Sequence, residues 1–158
     1  MTLPERTGKS KTLATWAALV GGGFGVHRFY LYGLRDVIGW LLPLPTLLGL
    51  YGVIRARQLG LDDHVSWVLI PLLGLAVAAT MLHAIVYGLT PDDQWNARFN
   101  DGSPSPPSGW PAVAGVMLAL TLGAGVLMAT LAFGAQRYFE YQAESAPVAQ
   151  GNARNPTQ

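Results

Sequence analysis

The residues that could do chemistry are few and gathered in one place. Gly21 to Gly33 reads GGGFGVHRFYLYG: a glycine run, then His27 and Arg28, then Phe29, Tyr30 and Tyr32. An arginine presents a planar fork of donors that binds a phosphate or carboxylate bidentately, and aromatic rings beside it settle at the headgroup level of a membrane. His27, Arg28, Phe29 and Tyr30 are therefore the candidate site for a lipid headgroup or a protein partner. Two other histidines exist, His64 beside Asp62 and Asp63, and His83 inside an apolar block. An ionisable group in such a block is costly and tends to be functional, which makes His83 a second candidate polar site. His27 and His83 at one depth would suit axial haem ligation. No His-x-x-x-His or Glu-x-x-His pairing accompanies them, so neither a metal nor a cofactor is assigned.

Catalytic machinery is not legible. The chain has no cysteine, hence no thiolate nucleophile, no disulfide and no Cys-ligated metal. The glycines of Gly21 to Gly25 are followed by no Lys-Ser/Thr and preceded by no strand, unlike a phosphate loop. Ser66 lies near His64 without an oxyanion device. Asp92 and Asp93 read as a solvated pair capping a turn after Pro91. The expectation is a protein that is not an enzyme.

The elements that must position these residues belong to a membrane. Of the 158 residues, 51% are hydrophobic and only 12% charged, about half the charged share of a soluble domain, and the mean hydropathy is +0.30. A helix needs roughly 20 apolar residues to cross a bilayer. Val65 to Leu89 and Pro111 to Ala135 meet that length without a formal charge. Leu13 to Val26 is shorter, with Lys11 expected to snorkel at one end and Arg28 at the other. Val37 to Ile54 carries Pro43 and Pro45, which predict a kinked second span. The fold expected is all-α and polytopic, with about four transmembrane helices. Gly21 and Gly25, four residues apart, would share one helix face and admit a neighbouring backbone, as would Gly123 in the fourth span.

The chain divides into an amino terminus (1–11), a helical hairpin (12–59), a third span (60–90), a Pro/Ser-rich polar loop (91–110), a fourth span (111–142) and a disordered tail (143–158). With four spans, Arg6, Lys9, Lys11, Arg55, Arg57, Arg137 and Arg154 fall on one side, and Arg28, Arg35 and Arg98 on the other. The positive-inside rule then makes both termini cytoplasmic. Arg55 and Arg57 read as topology signals rather than a lipid site. No small-x-small cleavage site follows Leu13 to Val20, so that segment is expected to be retained rather than removed as a signal peptide. A net charge of +1 gives no general attraction to nucleic acid.

Lys11, Gly22, Phe24, Gly25, His27, Arg28, Phe29, Tyr30, Leu31 and Gly33 together resemble the TM-two domain, a membrane module of two helices joined by a short turn. The resemblance covers about Lys9 to Leu59, and its His-Arg-Phe variant implies a bacterial-type member in an inner membrane. Tyr32 departs from the family's direct Leu-Gly step, and Arg55 and Arg57 stand where the family often has Trp and Asp. The resemblance implies topology more than mechanism. The functional expectation is association with itself or a membrane partner within the lipid bilayer. The alternatives are a small transporter or channel component with a polar path at His27, Arg28 and His83, and a haem-binding redox subunit.

Overall fold

A computed structural model describes residues 8–60, 62–103, 105 and 107–145. The helices are α1 (Lys11–Gly21), α2 (Val26–Tyr32), α3 (Val37–Leu41), α4 (Pro43–Leu59), α5 (His64–Leu89), α6 (Asp92–Phe99) and α7 (Trp110–Ser145), with a 3-10 turn over Gly22–Phe24 between α1 and α2. No strand occurs among the described residues. Among the described residues, three stretches are long and apolar enough to cross a membrane: Val37–Leu59, which joins α3 to α4, then α5 and α7. The fold is thus all-helical and that of an integral membrane protein.

Local chemistry sets each boundary. The Ser10 hydroxyl accepts from the Leu13 amide at 3.4 Å and starts α1. Asp36 caps α3 by accepting from the Gly39 amide at 3.0 Å, and Asp63 caps α5 through the Ser66 amide at 3.1 Å. Each is the acceptor an N-terminus needs for its orphan donors. Gly60 (φ 90°) closes α4. Pro43 and Pro45 lack amide donors, and the α-helical pattern is interrupted at Leu42, yet Leu42 itself stays right-handed (φ −60°, ψ −38°). A proline lies within α5 as well, at Pro71.

The first apolar stretch departs from expectation. It is not one helix: α1 ends at Gly21, and Gly25 adopts a left-handed conformation (φ 75°) that turns the chain. Contacts then place both ends of this segment together. The Lys9 ammonium donates to the Leu31 carbonyl at 2.5 Å, and the Ser10 amide donates to the Tyr30 hydroxyl at 2.8 Å. Both ends lie at the carboxyl end of α5, where Lys11 reaches the Thr90 carbonyl at 2.8 Å. The tip lies deeper, with Gly22 against Thr80 and Gly23 against Thr46. So α1 descends antiparallel to α5 and α2 climbs back.

Gly21 and Gly25 consequently do not share a helix face. A side chain at Gly21 would strike Val26 of the returning helix, and one at Gly25 would strike the Gly39 carbonyl. Both glycines build the turn itself. Elsewhere α4 and α7 pack along α5. Gly49 and Gly52 leave room for Leu73 and Leu69, and Gly123 leaves room for Met81. The buried apolar centre comprises Ala14, Ala18, Leu31, Met81, Ala84, Tyr87, Trp95 and Ala119.

Two further expectations change. The joint after α5 is not simply a loop: α6 forms there and buries Trp95, whose indole donates to the Lys9 carbonyl at 2.7 Å. The Pro/Ser-rich run is tied back to it, with the Ser108 hydroxyl on Asp92 at 2.6 Å and the Ser105 amide on Asn96 at 3.3 Å. At the other end α7 runs to Ser145, and the rest of the expected tail (146–158) lies outside the described residues.

Candidate functional site

The returning helix α2 brings its residues into four different environments. His27 is wholly buried. Its ring centre lies 5.4 Å from that of His83 and 5.8 Å from Tyr87, while His83 and Tyr87 are 6.1 Å apart. Neither ring nitrogen of His27 has a hydrogen-bond partner in the protein. His83 is partly exposed, and its Nδ1 lies 2.8 Å from the Ala79 carbonyl one turn earlier. A carbonyl only accepts, so Nδ1 carries the proton and Nε2 holds a free lone pair.

Arg28 does not point at an open anion site. Its Nε meets Asp36 Oδ2 at 2.5 Å, its second donor reaches Oδ1 at 3.4 Å, and its guanidinium covers the Tyr32 ring at 5.0 Å. The hydrogen bond from Arg28 holds the Asp36 carboxyl below its ordinary range, helped by the Gly39 amide. Phe29 fills the space that Gly39 leaves open and meets Trp40 at 5.2 Å. Tyr30 is the acceptor for Ser10. The sequence-predicted quartet is therefore brought together with His83 only through His27, and its other members close the hairpin.

Lys11 was expected to snorkel into the interface. It is buried instead, with its ammonium 2.6 Å from Asp92 Oδ1 and on the Thr90 carbonyl. This contact and the Ser108 hydroxyl hold the Asp92 carboxyl below its usual range. Lys11 and Asp92 thus form a structural joint between the start of α1 and the end of α5, which the solvated-pair reading of Asp92 and Asp93 missed. No sequence signal links residues so far apart.

The opposite end of the molecule has its own charged joint. Arg55 Nε meets Asp63 Oδ2 at 2.7 Å, and the Ser66 hydroxyl donates to the same oxygen at 2.6 Å. Arg55, and after it Ser66, hold the Asp63 carboxyl down at about 2. Arg57 is exposed. Farther along, Arg137 pairs with Glu140 at 2.6 Å and sits over the rings of Trp67 and Phe133 at 5.6 and 5.5 Å. His64 stacks near Trp67 at 4.4 Å, remote from His27 and His83.

Chemically, the ion pairs are spent on joints, while His27, His83 and Tyr87 gather into one cluster of rings. It does not fit a haem between the two imidazoles, because His27 is enclosed and already packed on Tyr87. Among the described residues no three His, Cys, Asp or Glu side chains converge on one point. No protein-family model, curated protein or solved structure matches this chain.

Proposed function

We propose that this chain is a non-enzymatic integral membrane protein that works by association of its helices, most directly with a second copy of itself. The observation that carries this reading is the state of α7: only 11% of its apolar window is buried within the chain, against 22% for each of the other two crossing helices. Ala119 and Gly123 of α7 are consumed by internal packing. Thr121, Gly125 and Ala132 face outward on one stripe, and a side chain at Gly125 would meet nothing within 4 Å. Small residues at such a face let backbones approach closely, which is what drives association in lipid. Light scattering coupled to size exclusion in mild detergent tests this. A multiple of the 16.9 kDa chain that collapses to one copy in Gly125→Leu supports the reading. A wild-type monomer, or a multiple unchanged by Gly125→Leu, overturns it.

The accompanying topology is three crossings with α1 and α2 as a re-entrant hairpin, in place of four spans. Non-crossing backbone at membrane depth is tolerated where protein covers it, and Thr46 does so by donating to the Gly23 carbonyl at 2.9 Å. Arg6, Lys9, Lys11, Arg28, Arg35 and Arg98 then share one side, while Arg55, Arg57, Arg137 and Arg154 share the other. The richer side, with the amino terminus, is the cytoplasmic one, and the carboxyl terminus lies opposite. The TM-two resemblance belongs to this proposal, since its motif residues Gly22, Gly25, His27, Arg28 and Gly33 build the hairpin, as does the bacterial inner membrane that the His-Arg-Phe variant implies.

A second reading, a small transporter or channel component, rests on the unpartnered nitrogens of His27 beside His83. Flux in proteoliposomes that is lost when His27, Arg28 and His83 all become alanine would favour it over association.

A further inference from the structure

We propose that the crease between α5 and α7 binds one glycerophospholipid, with its phosphodiester at Arg137 and an acyl chain running inward between the two helices. The inference is independent of self-association, since Thr121, Gly125 and Ala132 line neither of the two pockets along that crease. It begins with an ion pair that ties no elements together. Lys11–Asp92, Arg28–Asp36 and Arg55–Asp63 each join separate elements, whereas Arg137 and Glu140 are neighbours on α7. Arg137 is nonetheless the more enclosed partner, 13% exposed against 40% for Glu140, and its Nε has no hydrogen-bond partner. A charged side chain kept from water with a donor unmet is costly, so the arrangement calls for a further acceptor.

The packing of the two helices builds the crease. They run antiparallel and meet every seven residues: Trp67 meets Arg137, Gly74 meets Thr130, Met81 meets Gly123 and Gly88 meets Val116. Residues at a constant offset from such contacts share one flank of the seam. On α5, Val68, Leu75 and Leu82 each follow a contact by one position; on α7, Leu120, Leu127 and Gly134 each follow one by four. These six line two open pockets on that flank, one of about 360 Å³ at Arg137 and one of about 420 Å³ farther in. His64 and Tyr138 complete the first, where a side chain at Gly134 would meet nothing within 4 Å. Glu140 lines neither pocket, so Arg137 is the charged group that faces the crease.

Charge and depth select the occupant. Val65 to Leu89 and Pro111 to Ala135 carry no formal charge, so His64 and Arg137 stand just outside the hydrocarbon, at headgroup level. Trp67 and Tyr138 suit that level too. The guanidinium is backed by the rings of Trp67 and Phe133 at 5.6 and 5.5 Å, and its planar donor set matches a phosphate. Leu127 lies ten residues from Arg137, about 15 Å along the helix at 1.5 Å per residue. That is the depth of one leaflet of a core about 30 Å thick, so a chain anchored at Arg137 reaches the second pocket. A phospholipid presents an anion and a hydrocarbon chain at these two depths, whereas a free phosphate fills only the mouth. The pocket on the other flank, against Gly74 and Thr130, has no charged residue in its lining.

The test adds dioleoyl phosphatidylglycerol to the full chain in mild detergent and counts the retained lipids by native mass spectrometry. One lipid per chain is expected, held about 10–100-fold more tightly than dioleoylglycerol, which has the chains without the phosphate; that ratio is the weight of one charge-assisted hydrogen bond. Arg137→Gln should fall to the dioleoylglycerol level. Gly134→Leu, whose side chain enters open space, should abolish retention at an unchanged melting temperature. Arg57→Gln removes an exposed cation outside the pocket and should bind as wild type does. The proposal is overturned if wild type retains no lipid, if Arg137→Gln or Gly134→Leu binds as well as wild type, or if Arg57→Gln loses as much as Arg137→Gln. It is also overturned if glycerol phosphate displaces the lipid at the lipid's own concentration, since the site would then serve a free anion. A wild type that retains no lipid, yet loses self-association in Gly134→Leu, would place a second copy in the crease instead.

Discussion

Lys11 and Asp92 offer the sharpest perturbation, because a four-span arrangement puts them on opposite sides of the membrane and the observed fold puts them in contact. Lys11 is the enclosed partner, with its side chain 8% exposed against 46% for Asp92. Lys11→Met keeps the apolar stem and removes the ammonium, leaving the Thr90 carbonyl without its donor. A hydrogen bond to a charged group is worth about 1.5–3 kcal/mol, and the half-hydrated Asp92 moves the expectation to the lower end of that range. At roughly 2–4 °C per kcal/mol for a chain of this size, Lys11→Met should lower the melting temperature by about 3–8 °C in detergent, read by tryptophan fluorescence. Lys11→Glu should be worse, since it sets two carboxylates together. Lys11→Glu with Asp92→Lys should recover part of the loss, with a coupling of about 1 kcal/mol or more. Separated sites add to within roughly 0.3–0.5 kcal/mol, so a coupling inside that band refutes the contact and the re-entrant hairpin with it. The absence of native cysteine allows an independent check. Single cysteines at Thr2 and Ser103 should label from the same side with an impermeant maleimide, and Arg57→Cys from the other.

Three more predictions rest on single residues. Gly25→Ala must place a side chain at φ 75° and against the Gly39 carbonyl; the left-handed backbone alone costs about 1–2 kcal/mol, so a clear fall in melting temperature is expected. Gly134→Ala, helical and with open space at its Cβ, should be neutral or gain up to about 1 kcal/mol. Asp63 titrates at about 2 in the folded chain against an ordinary 3.8. A carboxyl lowered by folding stabilises fully above its unfolded pKa and loses that contribution as pH falls through the folded one. Wild type should therefore lose stability between about pH 4 and 2 relative to its value at pH 6, and Asp63→Asn should show a flatter profile over that window.

What the sequence discloses is apolar length, and what it conceals is direction. Val65 to Leu89 and Pro111 to Ala135 are visible because hydropathy is a sum along the chain, and α5 and α7 lie where that sum is highest. Val37 onward was visible too, prolines included. The hairpin was concealed because Leu13 to Tyr32 carries enough apolar residues either to cross or to fold back, and the contacts that hold it folded are made with Lys9, Ser10 and Thr46, outside that stretch. Arg28 and His27 were legible as unusual residues. Their partners were not: Asp36 is eight positions away in a joint of its own, Lys11 meets a carboxylate in another element, and His83 meets His27 from a separate helix. The short helix α6 was masked by its polarity and by the Pro/Ser run that follows it.

Length alone would have let the first stretch cross, so the reason it turns back must lie in hydrogen bonds and charge. Residues 11–32 in one straight helix would reach about 33 Å at 1.5 Å per residue, enough for the roughly 30 Å hydrocarbon core. As folded, α1 has 11 residues and α2 has 7, and neither reaches across. The turn costs helical hydrogen bonds at the tip, and each exposed end must find a partner in lipid. The Gly23 carbonyl takes the Thr46 hydroxyl, the Leu31 carbonyl takes the Lys9 ammonium, and the Ser10 amide takes the Tyr30 hydroxyl. A straight helix would forfeit the Leu31 and Ser10 bonds and would carry Lys11 away from Asp92 and Thr90. Folding back also carries His27 inward beside His83. The same reversal that closes the polar joints at one face thus buries the imidazole pair, and a substitution that straightens the hairpin should remove both together.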